Sequence, residues 1–205
     1  SMDYKSGYFW GDAFWVEPVT LPNQETQTVY LPKGVWFDYW SGEEKQGGKT
    51  FEHALSLEQL PVWVRAGSFV PMAPEYNNTQ DYTGKTVNLH YYHHPSVTQS
   101  QGQWYEDDGK NRHAITLKNY RHYQLTSAAN AEQLTLRMKA SGEGYQTEPS
   151  VRHITWVIHH VTQKPKQVLV NQRPVKYQYN EQKHQLMLPS QVNQGAHSLS
   201  VTVNY

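Results

Sequence analysis

The chain has 205 residues, a formal net charge of zero and no cysteine. Since 18 Lys and Arg residues balance 18 Asp and Glu residues, no excess positive charge is available to bind nucleic acid. The lack of cysteine excludes disulfides, thiol nucleophiles and thiolate metal sites, and the lack of a long apolar run excludes a membrane-spanning helix, so we expect no membrane partner.

The first part of the chain is rich in tryptophan and is predicted to form β-strands. "YFWGDAFWVEPV" (8–19) is interpreted as the first strand region. "GVWFDYWSG" (34–42) is predicted to be a strand with Trp36, Asp38 and Trp40 on one face and Phe37 and Tyr39 on the other. Exposed rings at this spacing are able to stack on successive sugars, but rings of this type more often fill the core of a sheet protein.

No stretch of a dozen residues has the clean 3.6-residue period that predicts a helix. The best candidate, "ALSLEQL" (54–60), is about two turns long and is stopped by Pro61. "LPVWVRAGSFVPM" (60–72) follows and is interpreted as a buried strand, a glycine turn and a second apolar segment. Its one charged residue, Arg65, is expected to bind backbone carbonyls or an acid at a domain junction rather than a sugar.

A domain boundary is predicted in "PEYNNTQDYTGK" (74–85), which is polar, rich in turn residues and free of apolar periodicity. We therefore expect a first β domain at residues 1–82 and a second at residues 83–205, both within the normal size range of domains.

The second part of the chain shows the alternation of apolar and polar residues that is typical of half-buried antiparallel strands. The segments are "VNLHYYH" (87–93), "LTLRMK" (134–139), "RHITWVIH" (152–159) and "SLSVTVNY" (198–205). Short strands separated by turns, without crossover helices, predict sandwiches or small barrels. The predicted fold is all-β, with two antiparallel β-sandwich domains.

Three consecutive acids, Glu106, Asp107 and Asp108, follow an aromatic pair in "WYEDDGK" (104–110) and resemble the paired carboxylates of a glycosidase. "DDG" is typical of a turn, so we expect the acids to lie in water and to remain ionised at neutral pH, unsuited to a general acid. The predicted role is an Asx-type turn that caps a hairpin or clamps a domain contact. Calcium binding is also considered, but too few ligands are local.

The histidines are considered as metal ligands and rejected. Adjacent strand residues point to opposite faces, so neither His93–His94 nor His159–His160 is expected to bind one ion with both rings. His153 and His159 share a face but lie about 20 Å apart along a strand. We expect these side chains, with those of His113 and His122, to lie on strand surfaces, and we expect neither a metal nor a cofactor.

Four phrases occur in order: "FWGDAFWVEPVT" (9–20), "VYLPKGVWFDYWSGE" (29–43), "LPVWVRAGSFVPM" (60–72) and "WYEDDGK" (104–110). Together they resemble the C-terminal region of glycoside hydrolase family 31, the family of α-glucosidases and α-xylosidases. The resemblance covers about residues 8–113, and residues 151–175 are compatible with the last strands of that family.

This resemblance implies that the catalytic residues and the C-terminal β domains lie in different parts of the enzyme. Family enzymes have an N-terminal β-sandwich, a catalytic (β/α)8 barrel, and proximal and distal C-terminal β domains. Their catalytic aspartates lie in the barrel in motifs of the W-x-D-M-N kind. "WFDYW" (36–40) falls in the proximal-domain phrase instead, so no catalytic residue carries over. The chain is expected to contain the proximal domain (1–82) and the distal domain (83–205) without the barrel.

The resemblance therefore predicts a chain that is inactive alone and braces the barrel of a retaining α-glycosidase. Trp10 and Asp12 lie nearest the barrel in that layout, and one face of 36–40 is expected to meet it as a broad exposed patch. One alternative is a carbohydrate-binding module that uses exposed Trp and Tyr residues, with an α-glucan or another α-glycoside as ligand. A second alternative is a free-standing, adhesin-like sandwich.

Overall fold

The computed structural model describes residues 6–78 and 81–205, and they form strands, turns and loops without an α-helix. The all-β prediction is confirmed. The helical candidate at residues 54–60 is a turn instead, with a bridge between Ser56 and Gln59. Consistent with this, no helix of the described residues has the length and apolar character needed to cross a membrane.

The first compact unit ends at Ser68 and contains seven strands. They are β1 (Tyr8–Trp10), β2 (Phe14–Val16), β3 (Thr26–Leu31), β4 (Val35–Asp38), β5 (Glu44–Gln46), β6 (Lys49–Ala54) and β7 (Val62–Arg65). One antiparallel sheet has the order β1-β2-β7-β4-β5, and β3 pairs with β6 in a second sheet. Both sheets contribute to one small core, which consists of Trp15, Val29, Leu31, Trp36 and Trp63 with Phe51 packed against it.

Strand β4 ends at Asp38, so the prediction that Trp40 continues the same strand is wrong. The Asp38 Oδ1 atom accepts hydrogen bonds from the backbone N–H groups of Trp40 (3.0 Å) and Ser41 (2.8 Å). This Asx-type turn diverts the chain from the sheet. Trp36 and Phe37 are both buried, whereas Trp40 is exposed.

The second unit runs from Phe69 to Tyr205 and contains eleven strands. They are β8 (Phe69–Met72), β9 (Thr86–Tyr92), β10 (Gln99–Glu106), β11 (Arg121–Ala129), β12 (Gln133–Ser141), β13 (Val151–His159), β14 (Gln167–Val170), β15 (Arg173–Pro174), β16 (Gln178–Asn180), β17 (Gln185–Asn193) and β18 (Ser198–Asn204). They form a six-stranded sheet, β10-β11-β12-β18-β14-β15, and a five-stranded sheet, β16-β17-β13-β9-β8.

The two sheets of this unit bury one continuous core between them. The alternating segments of the sequence form β9, β12, β13 and β18, and their apolar positions lie in that core. The largest side chain there, Trp156, donates from Nε1 to the Ser190 Oγ atom at 3.1 Å, which satisfies its buried N–H group. One pair departs from the antiparallel prediction, since β9 and β13 are parallel.

The division between the units lies between Ser68 and Phe69, earlier in the chain than the predicted boundary at residue 82. The reason is that β8 pairs with β9, with Phe69 opposite Tyr91 and Met72 opposite Asn88. The polar segment 74–85 therefore connects two neighbouring strands of one sheet. Its composition marks a loop within the second unit rather than a link between domains.

Candidate functional site

The three acids of "WYEDDGK" separate into two environments. Glu106 ends β10, and only 8% of its surface is exposed. Its Oε2 atom lies 2.5 Å from the Arg152 Nη2 atom and accepts a hydrogen bond from the Tyr145 hydroxyl at 3.1 Å, while the Tyr82 hydroxyl donates to Oε1. The prediction that all three acids lie in water is therefore wrong for Glu106.

Asp107 and Asp108 form the predicted turn. The Asp107 Oδ1 atom accepts a bond from the Gly109 N–H group at 2.8 Å. The Asp108 Oδ1 atom accepts bonds from the N–H groups of Lys110 and Asn111, both at 2.9 Å, and these bonds lower the pKa of Asp108. The Asx-turn prediction is confirmed for these two residues.

Arg152 occupies an inward position of β13 and was missed by the sequence analysis. Its guanidinium group donates to the Gly84 carbonyl and lies over the rings of Trp104 (4.8 Å to the centroid) and Tyr123 (5.7 Å). A signal was present, because Arg152 has the same strand parity as the core residues Ile154 and Trp156. An arginine at a core-facing position requires a buried acid as its partner.

The two tyrosines that contact Glu106 act as hydrogen-bond donors. Burial, followed by the hydrogen bond to Glu106, raises the pKa of Tyr82, and burial with the nearby charge of Glu106 raises the pKa of Tyr145 to about 12. Both hydroxyls therefore stay protonated at neutral pH. With these donors and Arg152, the Glu106 carboxylate has partners for both of its oxygens.

The other buried carboxylates are also held by the protein. Arg121 donates hydrogen bonds to the Glu148 carboxylate from Nε (2.6 Å) and Nη2 (3.2 Å), which makes a bidentate pair. Glu17 accepts bonds from Trp15 Nε1 and Gln27 Nε2, both at 3.2 Å. Asp38 forms the turn that ends β4. Together with Glu106, these buried carboxylates are bound to protein donors that they stabilise, so none of the four residues is arranged to act on a sugar.

Three cavities of the described chain were compared with the carboxylate geometry of a glycosidase. One cavity, of about 650 Å³, is lined by residues of β16, β17 and the turn between them, and Glu181 is its one carboxylate. A second of about 350 Å³ and a third of about 300 Å³ are lined by no Asp or Glu. Since a retaining glycosidase places two carboxyl groups about 5–5.5 Å apart across the bond, none of these cavities matches that geometry.

The histidines were expected on strand surfaces, but two of them pair in the sheet. His90 Nδ1 lies 2.8 Å from His159 Nε2, and the His159 ring stacks on Tyr92 at 4.4 Å between centroids. His113 is exposed, and His122 contacts the Gln103 side chain at 3.2 Å. Within residues 6–78 and 81–205, no group of three or more His, Asp or Glu side chains is arranged to hold a metal ion.

A row of four aromatic rings extends across the five-stranded sheet of the first unit. The centroids are 5.6 Å apart for Trp10–Phe14, 5.9 Å for Phe14–Tyr39 and 5.0 Å for Tyr39–Trp40. The two ends of this aromatic row are open to solvent, with 67% of Trp10 and 48% of Trp40 exposed. None of its rings lines the cavities described above.

Arg65 differs from its expected role. Its guanidinium carbon lies 5.2 Å from the Phe9 ring centroid and 4.9 Å from the Trp36 centroid. Its buried Nε atom has no hydrogen-bond partner among the described residues. Cation–π contacts therefore hold this residue within the first unit, instead of the carbonyl or acid that the sequence suggested.

Replacing Glu106 with Gln tests the buried ion pair. We expect Glu106→Gln to lower the free energy of unfolding by about 3–5 kcal/mol, because it leaves the Arg152 charge buried and unpaired. Glu143→Gln is the matched control, since Glu143 is exposed and 4.0 Å from Lys118, and it is expected to stay within about 0.5 kcal/mol of the wild type. Equal effects in urea unfolding would contradict this assignment.

The buried histidines predict a pH dependence of stability. Burial, aided by His90 and His160, lowers the pKa of His159 to about 3, whereas an unfolded histidine titrates near 6.5. The unfolded chain therefore binds more protons below pH 6.5, and the folded state loses stability as the pH falls through that value towards 3.

We expect the free energy of unfolding of the wild type to be about 1 kcal/mol lower at pH 5.5 than at pH 7.5. Ordinary carboxylates titrate below this pH range, so they do not account for the difference. His159→Gln should reduce this difference, whereas His113→Gln, at an exposed ring, should preserve it. Chemical denaturation at both pH values measures the effect, and an unchanged difference in His159→Gln would refute it.

Comparison with known proteins shows which family and which enzymes the sequence resembles. Residues 1–70 match the glycosyl hydrolase family 31 C-terminal domain. The chain is 33% identical over 109 residues to an α-xylosidase of Saccharolobus solfataricus, covering 52% of this chain and 14% of that protein. It is 26% identical over 153 residues to α-glucosidase 2 of Bacillus thermoamyloliquefaciens, covering 74% and 18% respectively. The chain thus spans less than a fifth of these relatives.

Solved structures agree in fold over almost the whole chain. A Flavobacterium johnsoniae GH31 dextranase in complex with isomaltotriose superposes with a TM-score of 0.87 at 20% identity, covering 98% of this chain and 27% of the dextranase chain. A GH31 α-xylosidase of Xanthomonas citri superposes with a TM-score of 0.72 at 22% identity, covering 95% and 19%. The ordered phrases, the family match over residues 1–70 and these folds agree with one another, and they are consistent with a C-terminal fragment of a glycosyl hydrolase family 31 enzyme.

Proposed function

We propose that this chain is the non-catalytic C-terminal part of an α-glycosidase and that it braces the catalytic barrel of that enzyme. The observation that carries the proposal is the exposed aromatic row of the first unit, in the region that matches the family's C-terminal domain. A row of mutually packed rings whose two ends, Trp10 and Trp40, are exposed suits a protein contact, since aromatic side chains are enriched in such interfaces.

The reaction proposed for the whole enzyme is hydrolysis of α-glycosidic bonds through a covalent intermediate. The names of two relatives, α-xylosidase and α-glucosidase, favour this reaction. That chemistry needs one carboxylate as nucleophile and another as acid and base. Glu106 and Glu148 are bound to arginines, and Glu17 and Asp38 to protein donors, which supports a catalytic pair supplied by residues outside this chain.

The purified chain should not hydrolyse p-nitrophenyl α-glucoside or p-nitrophenyl α-xyloside. The physical reason is that its buried carboxylates are already bound and lie apart from any cavity able to enclose a sugar ring. Release of p-nitrophenol is followed by the absorbance of the p-nitrophenolate ion at alkaline pH, with a full-length α-glucosidase of the family as positive control. Turnover that persists through successive purification steps would contradict the proposal.

The aromatic row supplies the free energy of the proposed contact. A large aromatic side chain that becomes fully buried contributes about 1.5–3 kcal/mol. Tryptophan and tyrosine are also the residues that dominate the energetics of protein interfaces. Because Phe14 and Tyr39 lie between Trp10 and Trp40, a partner that covers both ends buries the whole row.

The double variant Trp10→Ala/Trp40→Ala tests this contact in two proteins. In the isolated chain we expect a small fall in melting temperature, because Trp40 is half-buried and its Nε1 donates to the Leu60 carbonyl at 2.8 Å. In the intact enzyme we expect a shorter half-life of activity on heating, because the contact with the barrel is weakened. Leu57→Ala, at a fully exposed position outside the row, is the control and should change neither property.

The tryptophans of the second unit do not favour the alternative of a carbohydrate-binding module that uses exposed Trp and Tyr residues. That unit has two tryptophans, and both are used internally. Trp156 is fully buried in the core, while Trp104 stacks on Tyr123 at 4.6 Å and lies beneath the Arg152 guanidinium group.

A further inference from the structure

Arg65, the last residue of β7, carries a guanidinium group that has no polar partner among the described residues. The rings of Phe9 and Trp36 flank this group, with centroids 5.2 Å and 4.9 Å from its central carbon. Its Nε atom is fully enclosed and makes no hydrogen bond. The side chain as a whole is half-buried, and Nη1 and Nη2 are not among the enclosed atoms, so these two nitrogens remain open to solvent.

The lack of an acid at Arg65 contrasts with the two buried arginines of the second unit. Arg121 binds the Glu148 carboxylate, and Arg152 binds that of Glu106. Burial removes part of the hydration of a guanidinium group, and an acid restores the lost stabilisation. The Phe9 and Trp36 rings stabilise the Arg65 charge through their faces, but they accept no bond from its terminal N–H groups. The site is therefore one carboxylate short.

The position of Arg65 in the sheet connects it with the proposed protein contact. Strand β1 lies at the edge of the five-stranded sheet of the first unit, and all three of its residues are exposed. Neighbouring strand residues point to opposite faces, so Trp10 lies on the side of the aromatic row and Phe9 on the side of Arg65. A partner that covers the edge at β1 is thus able to reach both sides.

The geometry favours a protein partner over a small free anion. None of the cavities described above is lined by Arg65, Phe9 or Trp36, so none of them encloses a small anion against the guanidinium group. A protein surface supplies the missing walls itself. Arginine binds a carboxylate through two parallel N–H···O bonds, and the two open nitrogens of Arg65 are suited to that arrangement.

We propose that Arg65 anchors a carboxylate side chain, an Asp or Glu of the catalytic part of the enzyme, through Nη1 and Nη2. This inference rests on the proposed barrel contact and adds a charged partner to it, on the face of β1 opposite the aromatic row. Because Phe9 and Trp36 already fix the plane of the guanidinium group, little side-chain entropy is lost when the acid binds.

An arginine-selective reagent, phenylglyoxal, tests the anchor in wild-type proteins. In the isolated chain Arg65 should react, because its terminal nitrogens are open. In the intact enzyme it should react at least about tenfold more slowly, the factor expected from a charge-assisted hydrogen-bonded pair. Arg137, exposed on β12, is the control and should react at the same rate in both proteins. Peptide mass spectrometry measures the modified fraction at each position.

A second measurement identifies the acid. Arg65→Lys places a primary amine at the site, and a carbodiimide joins an amine to a carboxylate in direct contact without a spacer. In the intact Arg65→Lys enzyme we expect one cross-link from position 65 to an Asp or Glu outside residues 1–205. Arg137→Lys should give no cross-link to that part of the enzyme.

Three results would overturn the anchor: equal reactivity of Arg65 in the two proteins, no cross-link in Arg65→Lys, or a cross-link to an acid within residues 1–205. The barrel contact is judged separately, by the half-life of the Trp10→Ala/Trp40→Ala enzyme on heating. If that half-life is shortened while Arg65 stays fully reactive, the contact stands and the anchor is wrong. If neither effect is found, both proposals are wrong.

Discussion

The ion pair between Glu106 and Arg152 connects the two sheets of the second unit, because Glu106 ends β10 of the six-stranded sheet and Arg152 lies on β13 of the five-stranded sheet. Neither charge is tolerated inside the protein without the other. Tyr82, Gly84 and Tyr145 add hydrogen bonds that fix the β8–β9 connection and the segment before β13 to the same point. The acid that the sequence offers as a catalytic candidate is therefore committed to holding the sandwich together.

The strands of the second unit were largely predictable from the sequence, because a core between two sheets imposes an alternation that each strand carries locally. Leu134, Leu136 and Met138 show it in β12, and Leu199, Val201 and Val203 in β18. The first unit was harder to predict. Trp36, Phe37 and Asp38 are all buried in consecutive positions of β4, so alternation is lost, and the end of this strand depends on one side-chain oxygen of Asp38.

The arrangement of the polar groups could not be predicted in the same way, since it depends on contacts between residues far apart in the chain. "WYEDDGK" contains the turn chemistry of Asp107 and Asp108 in full, and that part was recognised. The partner of Glu106 is Arg152, which lies on a strand of the other sheet. No local sequence pattern around Glu106 identifies it.

These observations support one central claim: this chain contributes structure, and the sugar-cleaving acids belong to another part of the enzyme. The most direct measurement is a crystal structure of the intact enzyme with an inhibitor bound at its catalytic centre. The account predicts that no carboxylate of residues 1–205 contacts the reacting sugar and that Glu106 keeps its bond to Arg152. A Glu or Asp side chain of this chain within about 3 Å of the scissile position would contradict it.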